Sequence, residues 1–100
     1  GPKTKKALVK ALQKELGVTV DGDYGPNTNA AVKKSNLQKG SKGSLVKILQ
    51  ALLVCNGYTS AYVDGSYGTG TVNAVKAYQK KKGLTSDGVA GSGTFSALCK

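Results

Sequence analysis

Four of the five carboxylates in this chain sit in one recurring phrase: Asp-Gly, a Gly three residues on, then a Thr three further. It reads Asp21-Gly22-Asp23-Tyr24-Gly25-Pro26-Asn27-Thr28, then Asp64-Gly65-Ser66-Tyr67-Gly68-Thr69-Gly70-Thr71, then Asp87-Gly88-Val89-Ala90-Gly91-Ser92-Gly93-Thr94. Carboxylates in glycine loops suggest metal binding or acid–base chemistry. A calcium loop needs several carboxylates at short spacing plus a bidentate Glu, and only Asp21 and Asp23 cluster. Hydrolysis of a glycosidic bond needs two acids at one site, and Asp64 and Asp87 stand alone. The chain has no His, hence no neutral-pH imidazole base and no imidazole ligand. Two Cys cannot build a zinc site, and no Gly-x-Ser-x-Gly elbow or phosphate loop occurs. The remaining reading is structural. Asp accepts from an N–H two residues on and Gly supplies a positive φ. The Tyr of the phrase drops into the core, and the Thr caps or packs the next helix. The sequence thus points to a non-enzyme with no cofactor and no metal.

The loops need helices to hold them. Five are expected, at about 3–16, 26–36, 43–56, 69–82 and 92–99, giving a mainly α chain. Leu45, Ile48, Leu49 and Leu52 follow the spacing of a buried stripe, and Val72, Val75, Tyr78 and Leu8, Leu12, Leu16 form narrower ones. Gly17, Gly57 and Gly83 each follow a helical run and precede an apolar residue, the pattern of a left-handed glycine cap. Pro2 and Pro26 suit first turns. Ser41 or Ser44 is expected to cap the helix near 43. Short extended pieces are expected around Val20 and Val63, and Gly40-Ser41-Lys42-Gly43 is the one linker-like stretch.

The spacing also shows an internal repeat. Thr4, Ala7, Gln13, Gly17, Asp21, Gly25 and Thr28 match Thr71, Ala74, Gln79, Gly83, Asp87, Gly91 and Thr94, with one extra residue before Gln13. A truncated fourth phrase, Gly1-Pro2-Lys3-Thr4, opens the chain; Gly1-Pro2 fits the repeat in register and equally fits a protease-tag scar. Residues 36–100 read as a complete module with its own leading helix. Residues 1–35 read as a partial, two-helix repeat lacking its first helix.

One hundred residues suit one domain or two very small ones. No apolar run approaches the roughly 20 residues of a membrane span, and no signal peptide is recognisable, so the chain reads as a fragment or an excised module. The net charge of +10 comes from 15 Lys and no Arg. Such a surface attracts anions, but without Arg it lacks the bidentate group that reads guanine edges. Cys55 and Cys99 have two readings: small buried apolar side chains, or a disulfide if the module works outside the cell.

Residues 40–99 resemble the three-helix peptidoglycan-binding domain of bacterial cell-wall hydrolases and phage endolysins. The resemblance is carried by Gly40-Ser41-Lys42-Gly43, Leu49-Gln50, Gly57-Tyr58, Asp64-Gly65-Ser66-Tyr67-Gly68, Thr71, Ala74-Val75, Tyr78-Gln79, Gly83-Leu84, Asp87-Gly88, Gly91, Thr94 and Leu98. Residues 1–35 resemble the later part of the same domain, and Ala90 departs from the bulkier residue usual in the last loop. The resemblance implies a small three-helix bundle that binds peptidoglycan, through glycan or stem peptide, and anchors a linked hydrolase at an extracellular cell wall. A phage-encoded protein made in the host cytoplasm fits the same pattern. The family's binding surface is expected near the loop from the first helix into the second. That places candidate ligand contacts at Tyr58, Tyr62, Asp64, Tyr67, Gly68, Thr71 and Asn73, with Lys76 as an electrostatic helper. Tyr62 lies outside the family pattern and is the strongest single candidate, while Tyr67 also fits pure core and Tyr78 and Gln79 fit helix packing.

Two other classes compete. The Lys80-Lys81-Lys82 run suggests nucleic acid, but the run also fits a helix C-terminus whose dipole favours cations, and one Phe with no Arg argues against base stacking. A protein-interaction or assembly role, including self-association, would follow if the partial repeat exposed apolar surface.

Overall fold

The computed structural model describes residues 2–35, 37–58 and 62–99. Five helices follow one another: α1 (Pro2–Leu16), α2 (Pro26–Lys33), α3 (Ser44–Cys55), α4 (Thr69–Lys81) and α5 (Ser92–Cys99). The fold is mainly α, as its periodicities predict. Near Val20 and Val63 no strand forms among the described residues. Extended pairing is limited to two isolated bridges, Leu37 with Ala90 and Lys42 with Ser66.

α3 is the central rod. Its buried residues include Val46, Ile48, Leu49, Leu52 and Leu53, a wider face than the expected stripe, because α1, α4 and α5 all pack around it. Leu45 is only half-buried. α1 turns Val9 and Leu12 inward, leaving Leu8 and Leu16 half-buried. Leu12 of α1 and Val32 of α2 join the same apolar cluster as Tyr67, Tyr78, Phe95 and Leu98. Each buried aliphatic or aromatic side chain of this kind contributes about 1.5–3 kcal/mol relative to exposure.

Three helices stop as their glycines dictate. Gly17, Gly57 and Gly83 take φ of 74°, 92° and 71°. The next residue then donates its N–H back to the helix: Val18 to Gln13 O, Tyr58 to Leu53 O and Leu84 to Gln79 O, at 3.1, 2.9 and 2.8 Å. This is the Schellman arrangement, and only Gly adopts it without Cβ strain. α2 is shorter than expected, because Lys34 and Ser35 turn their N–H groups onto Ala31 and Val32 and tighten its last turn.

Two expectations fail for identifiable reasons. Neither Ser41 nor Ser44 caps α3. Gly43 is the N-cap, with no side-chain cap bond, and Ser41 Oγ instead accepts from Gln38 N–H at 3.2 Å. The Gly40–Gly43 stretch is also not a loose linker. Gly40 N–H donates to Tyr67 O, Tyr67 N–H to Ser41 O, and Gly43 N–H to Gly65 O, at 2.9, 2.9 and 3.0 Å. Residues 37–43 are thus a strap tied to the Asp64 loop at one end. Its other end is tied to the Asp87 loop, where Ala90 N–H meets Leu37 O at 2.7 Å. Ala90 is fully buried there, so the small side chain sits where the strap's backbone comes in.

Candidate functional site

Each Asp-Gly loop is built around a buried glutamine. Gln50 donates through Nε2 to Asp64 Oδ1, Ser66 O and Thr71 Oγ1, each at 3.0 Å. Its Oε1 accepts the N–H groups of Asp64 and Gly65, at 3.1 and 2.8 Å. Gln13 repeats the pattern with Asp21, Asp23 O, Thr28 and the Asp21 and Gly22 N–H groups. Gln79 repeats it with Asp87, Val89 O, Thr94 and the Gly88 N–H. Backbone donors on one side and acceptors on the other fix the amide orientation in each case. All three glutamines are at most 2% exposed.

Each Asp uses the same Oδ1 twice. Besides the amide, it accepts an N–H two residues on: Asp23 for Asp21, Ser66 for Asp64, Val89 for Asp87, at 3.0, 2.9 and 2.9 Å. Those backbone donors, with help from the glutamine amides, hold all three carboxyls below the usual carboxylate range. The glycine after each Asp has φ near 80°, 78° and 76°, as the structural reading of the phrase expects. Of the two roles expected of the Thr, capping or packing the next helix, the structure shows packing. The Thr occupies the third position of the next helix, 3–4% exposed, and takes the glutamine amide. No group of three or more metal-ligating side chains is present among the described residues.

The predicted ligand contacts divide between framework and surface. Asp64 and Thr71 are joined through Gln50, and Gly68 is the extended N-cap of α4, with open space where a Cβ would be. Tyr67 is 2% exposed and its hydroxyl donates to Gly88 O, tying the second loop to the third. The Tyr67 ring and Thr71 therefore present no surface to a ligand, because the core closes over them. Tyr58 is half-buried, edge-on to Tyr78 with centroids 5.4 Å apart. Tyr62 is 77% exposed, beside the exposed Val63. Asn73 and Lys76 are exposed on α4. The Lys76 stem lies over the Asp87–Gly88 turn, where a Cβ on Gly88 would sit 3.2 Å from its Cε.

Tyr78 and Gln79 pack the interior, as expected of helix-packing residues. The Tyr78 hydroxyl is buried without a partner among the described residues. Lys82 Nζ stands 5.9 Å from the centre of its ring. Cys55 is exposed and Cys99 half-buried, and both thiols are free. Burial pushes the Cys99 thiol up to about 12, against a weaker pull from Lys5.

Sequence reading missed the glutamine as the centre of each loop. The signal was present for two of them. Gln13 precedes Asp21 by 8 residues, as Gln79 precedes Asp87. Gln50 lies 14 residues before Asp64, because the α3–α4 connection is longer, and this third case hides the rule.

The helices, the glycine caps and the clasped loops together define a small helical domain. The sequence pattern of the peptidoglycan-binding domain family matches residues 42–98, and the chain belongs to that family. It is 40% identical over 103 residues to the uncharacterized protein FadG of Bacillus subtilis, covering 98% of this chain and 18% of that protein. It is 35% identical over 101 residues to the N-acetylmuramoyl-L-alanine amidase CwlM of Mycobacterium tuberculosis, covering 90% of this chain and 25% of that one. Among solved structures, the SleB N-terminal domain superposes with a TM-score of 0.61 at 41% identity, over 64% of this chain and 88% of that domain. The chain thus spans a quarter or less of the length of these two curated relatives.

Proposed function

We propose that this chain is a non-catalytic module that binds bacterial peptidoglycan and anchors a linked peptidoglycan hydrolase at the cell wall. The observation that carries this reading is the use of the carboxylates. Asp21, Asp64 and Asp87 are each spent on a glutamine amide and a backbone N–H. The residues best placed for acid–base work are therefore structural, and the module's remaining chemistry is that of its surface. The amidase relative supports a hydrolase as the linked domain. The proposed location is the extracellular wall. No described helix is long and apolar enough to cross a membrane.

Tyr62 is the principal contact in this reading. An exposed phenol ring covers a sugar face or an apolar patch of the stem peptide while its hydroxyl stays wet. Tyr58, Asp64, Gly68 and Asn73 complete the contact surface, and Lys76 supplies attraction to anionic groups. Tyr67 and Thr71 act from within, by holding the loop. Residues 36–100 form the complete repeat and residues 1–35 the last two helices of another.

The test is Tyr62→Ala compared with Tyr67→Ala. Tyr62→Ala is expected to weaken pelleting with purified peptidoglycan by about tenfold, the loss of roughly 1.4 kcal/mol of contact, with an unchanged melting temperature. Tyr67→Ala is expected to lose about 3–5 kcal/mol of stability. A melting loss for Tyr62→Ala, or unchanged pelleting, would remove Tyr62 from the site.

A further inference from the structure

The three loops share one rule. The Thr at the third position of a helix is clasped by a glutamine of the helix immediately before it: Thr28 of α2 by Gln13 of α1, Thr71 of α4 by Gln50 of α3, Thr94 of α5 by Gln79 of α4. α1 begins with the same phrase, and its third residue is Thr4. Yet Thr4 is exposed, and among the described residues no side chain bonds its hydroxyl. One clasp of the series is vacant.

By helical register, Thr4 shares a side of α1 with apolar residues that line a groove. Thr4, Leu8, Ala11 and Glu15 follow one another at helical spacing on one side of α1. Leu8 and Ala11 form one wall of a groove of about 410 Å³, with Ile48 and Ala51 of α3 opposite and Val63 also lining it. Lys14, Glu15 and Lys47 are its charged lining residues. In the complete repeat, the corresponding side of α4 is closed. Thr71 and Val75, which match Thr4 and Leu8, are buried there, with α3 packed against the helix.

We propose that the α1–α3 groove is the seat of an amphipathic helix of the α3 kind, lying before α1 in the same polypeptide. Its leucine face would cover Leu8, Ala11 and Ile48, and one glutamine amide would bond Thr4 Oγ. The inference rests on reading residues 1–35 as the last two helices of a repeat. α3 shows what such a helix looks like: Leu45, Leu49, Leu52 and Leu53 around Gln50, with Lys47 its single charge.

The sequence supplies its own probe. Residues 41–67 carry α3 and the Asp64 loop, and they end at the residue before Gly68, which matches Gly1 in the repeat. A second copy of 41–67 joined directly ahead of Gly1 of the intact chain completes the repeat. The intact chain is expected to show three slowly exchanging glutamine side-chain amides and the fusion a fourth. The Leu8 and Ile48 methyl resonances are expected to shift as the groove fills. Replacing the added copy's glutamine with Ala should remove the fourth amide alone. Leu8→Lys should reduce the methyl shift at Ile48 and lower the fusion's melting temperature toward that of the intact chain. A fourth protected amide with unmoved Leu8 and Ile48 methyls would overturn the groove assignment while leaving the repeat reading intact. No fourth amide and no shift would overturn both. Peptidoglycan pelleting of the intact chain is independent of all three results.

Discussion

Truncating Gln50 should cost about as much as truncating a buried apolar residue of its size. Gln50→Ala removes three donor contacts at 3.0 Å and two acceptor contacts at 3.1 and 2.8 Å. Two Nε2 hydrogens serve three acceptors, so about four effective bonds are lost, at about 0.5–1.5 kcal/mol each. Asp64 and Ser66 are exposed, so water replaces part of their share. Thr71 Oγ is buried and stays unsatisfied. The expected net loss is about 3 kcal/mol, a large part of a typical 5–15 kcal/mol domain stability. At about 4–8 °C per kcal/mol for a domain of this size, the melting temperature should fall by about 12–24 °C. Gln50→Glu separates bonding from packing, because it keeps the shape. At neutral pH it sets a carboxylate against Asp64 Oδ1 and Ser66 O with no proton to donate. It should be at least as destabilised as Gln50→Ala and partly recover as acid protonates the new side chain. Thermal melts followed by circular dichroism check both variants. A loss below about 1 kcal/mol for Gln50→Ala would refute the clasp as a stabilising element, and a neutral Gln50→Glu would refute its donor geometry.

Other expectations follow from the same contacts. Asp21, Asp64 and Asp87 have folded carboxyls below their ordinary range. Their contribution is therefore complete above that range and is lost as pH falls through the folded values. Melting temperature should drop between about pH 5 and pH 2, and Asp→Asn at all three positions should flatten that drop, since the amide oxygen still accepts both bonds. Tyr67→Phe removes the hydroxyl bonded to Gly88 O and should cost about 1 kcal/mol. Tyr78→Phe removes a buried hydroxyl with no partner among the described residues, and should be neutral or stabilising. Equal losses for the two variants would contradict the assigned bonding.

The helices were legible because their signals are local. A stripe at 3.6-residue spacing marks Ile48, Leu49 and Leu52 of the buried face of α3, and a Gly before an apolar residue fixes the ends of α1, α3 and α4. The Asp-Gly turns were legible for the same reason, since Asp64 and Ser66 are two residues apart. What reading by residue missed depends on distance along the chain. Gly40–Gly43 has the composition of a linker, but backbone bonds to Gly65 and Tyr67 make it a strap, and no side chain announces those. Tyr62 and Tyr67 are alike in type and opposite in exposure. The difference is positional: Tyr67 belongs to the clasped phrase, whereas Tyr62 stands in the extra length of the α3–α4 connection. The same extra length displaces Gln50 from the spacing that Gln13 and Gln79 share.

The central claim is that a specific wall site exists beyond the attraction of a surface with net charge +10. Cosedimentation with purified, acid-stripped peptidoglycan should be measured at low salt and at about half-molar salt, where screening acts within a few Å. An anionic polymer serves as the competitor. The account predicts pelleting that persists at the higher salt, resists the polymer and falls with Tyr62→Ala. Pelleting only at low salt, abolished by the polymer and unchanged by Tyr62→Ala, would contradict it and leave nonspecific lysine attraction as the whole of the binding.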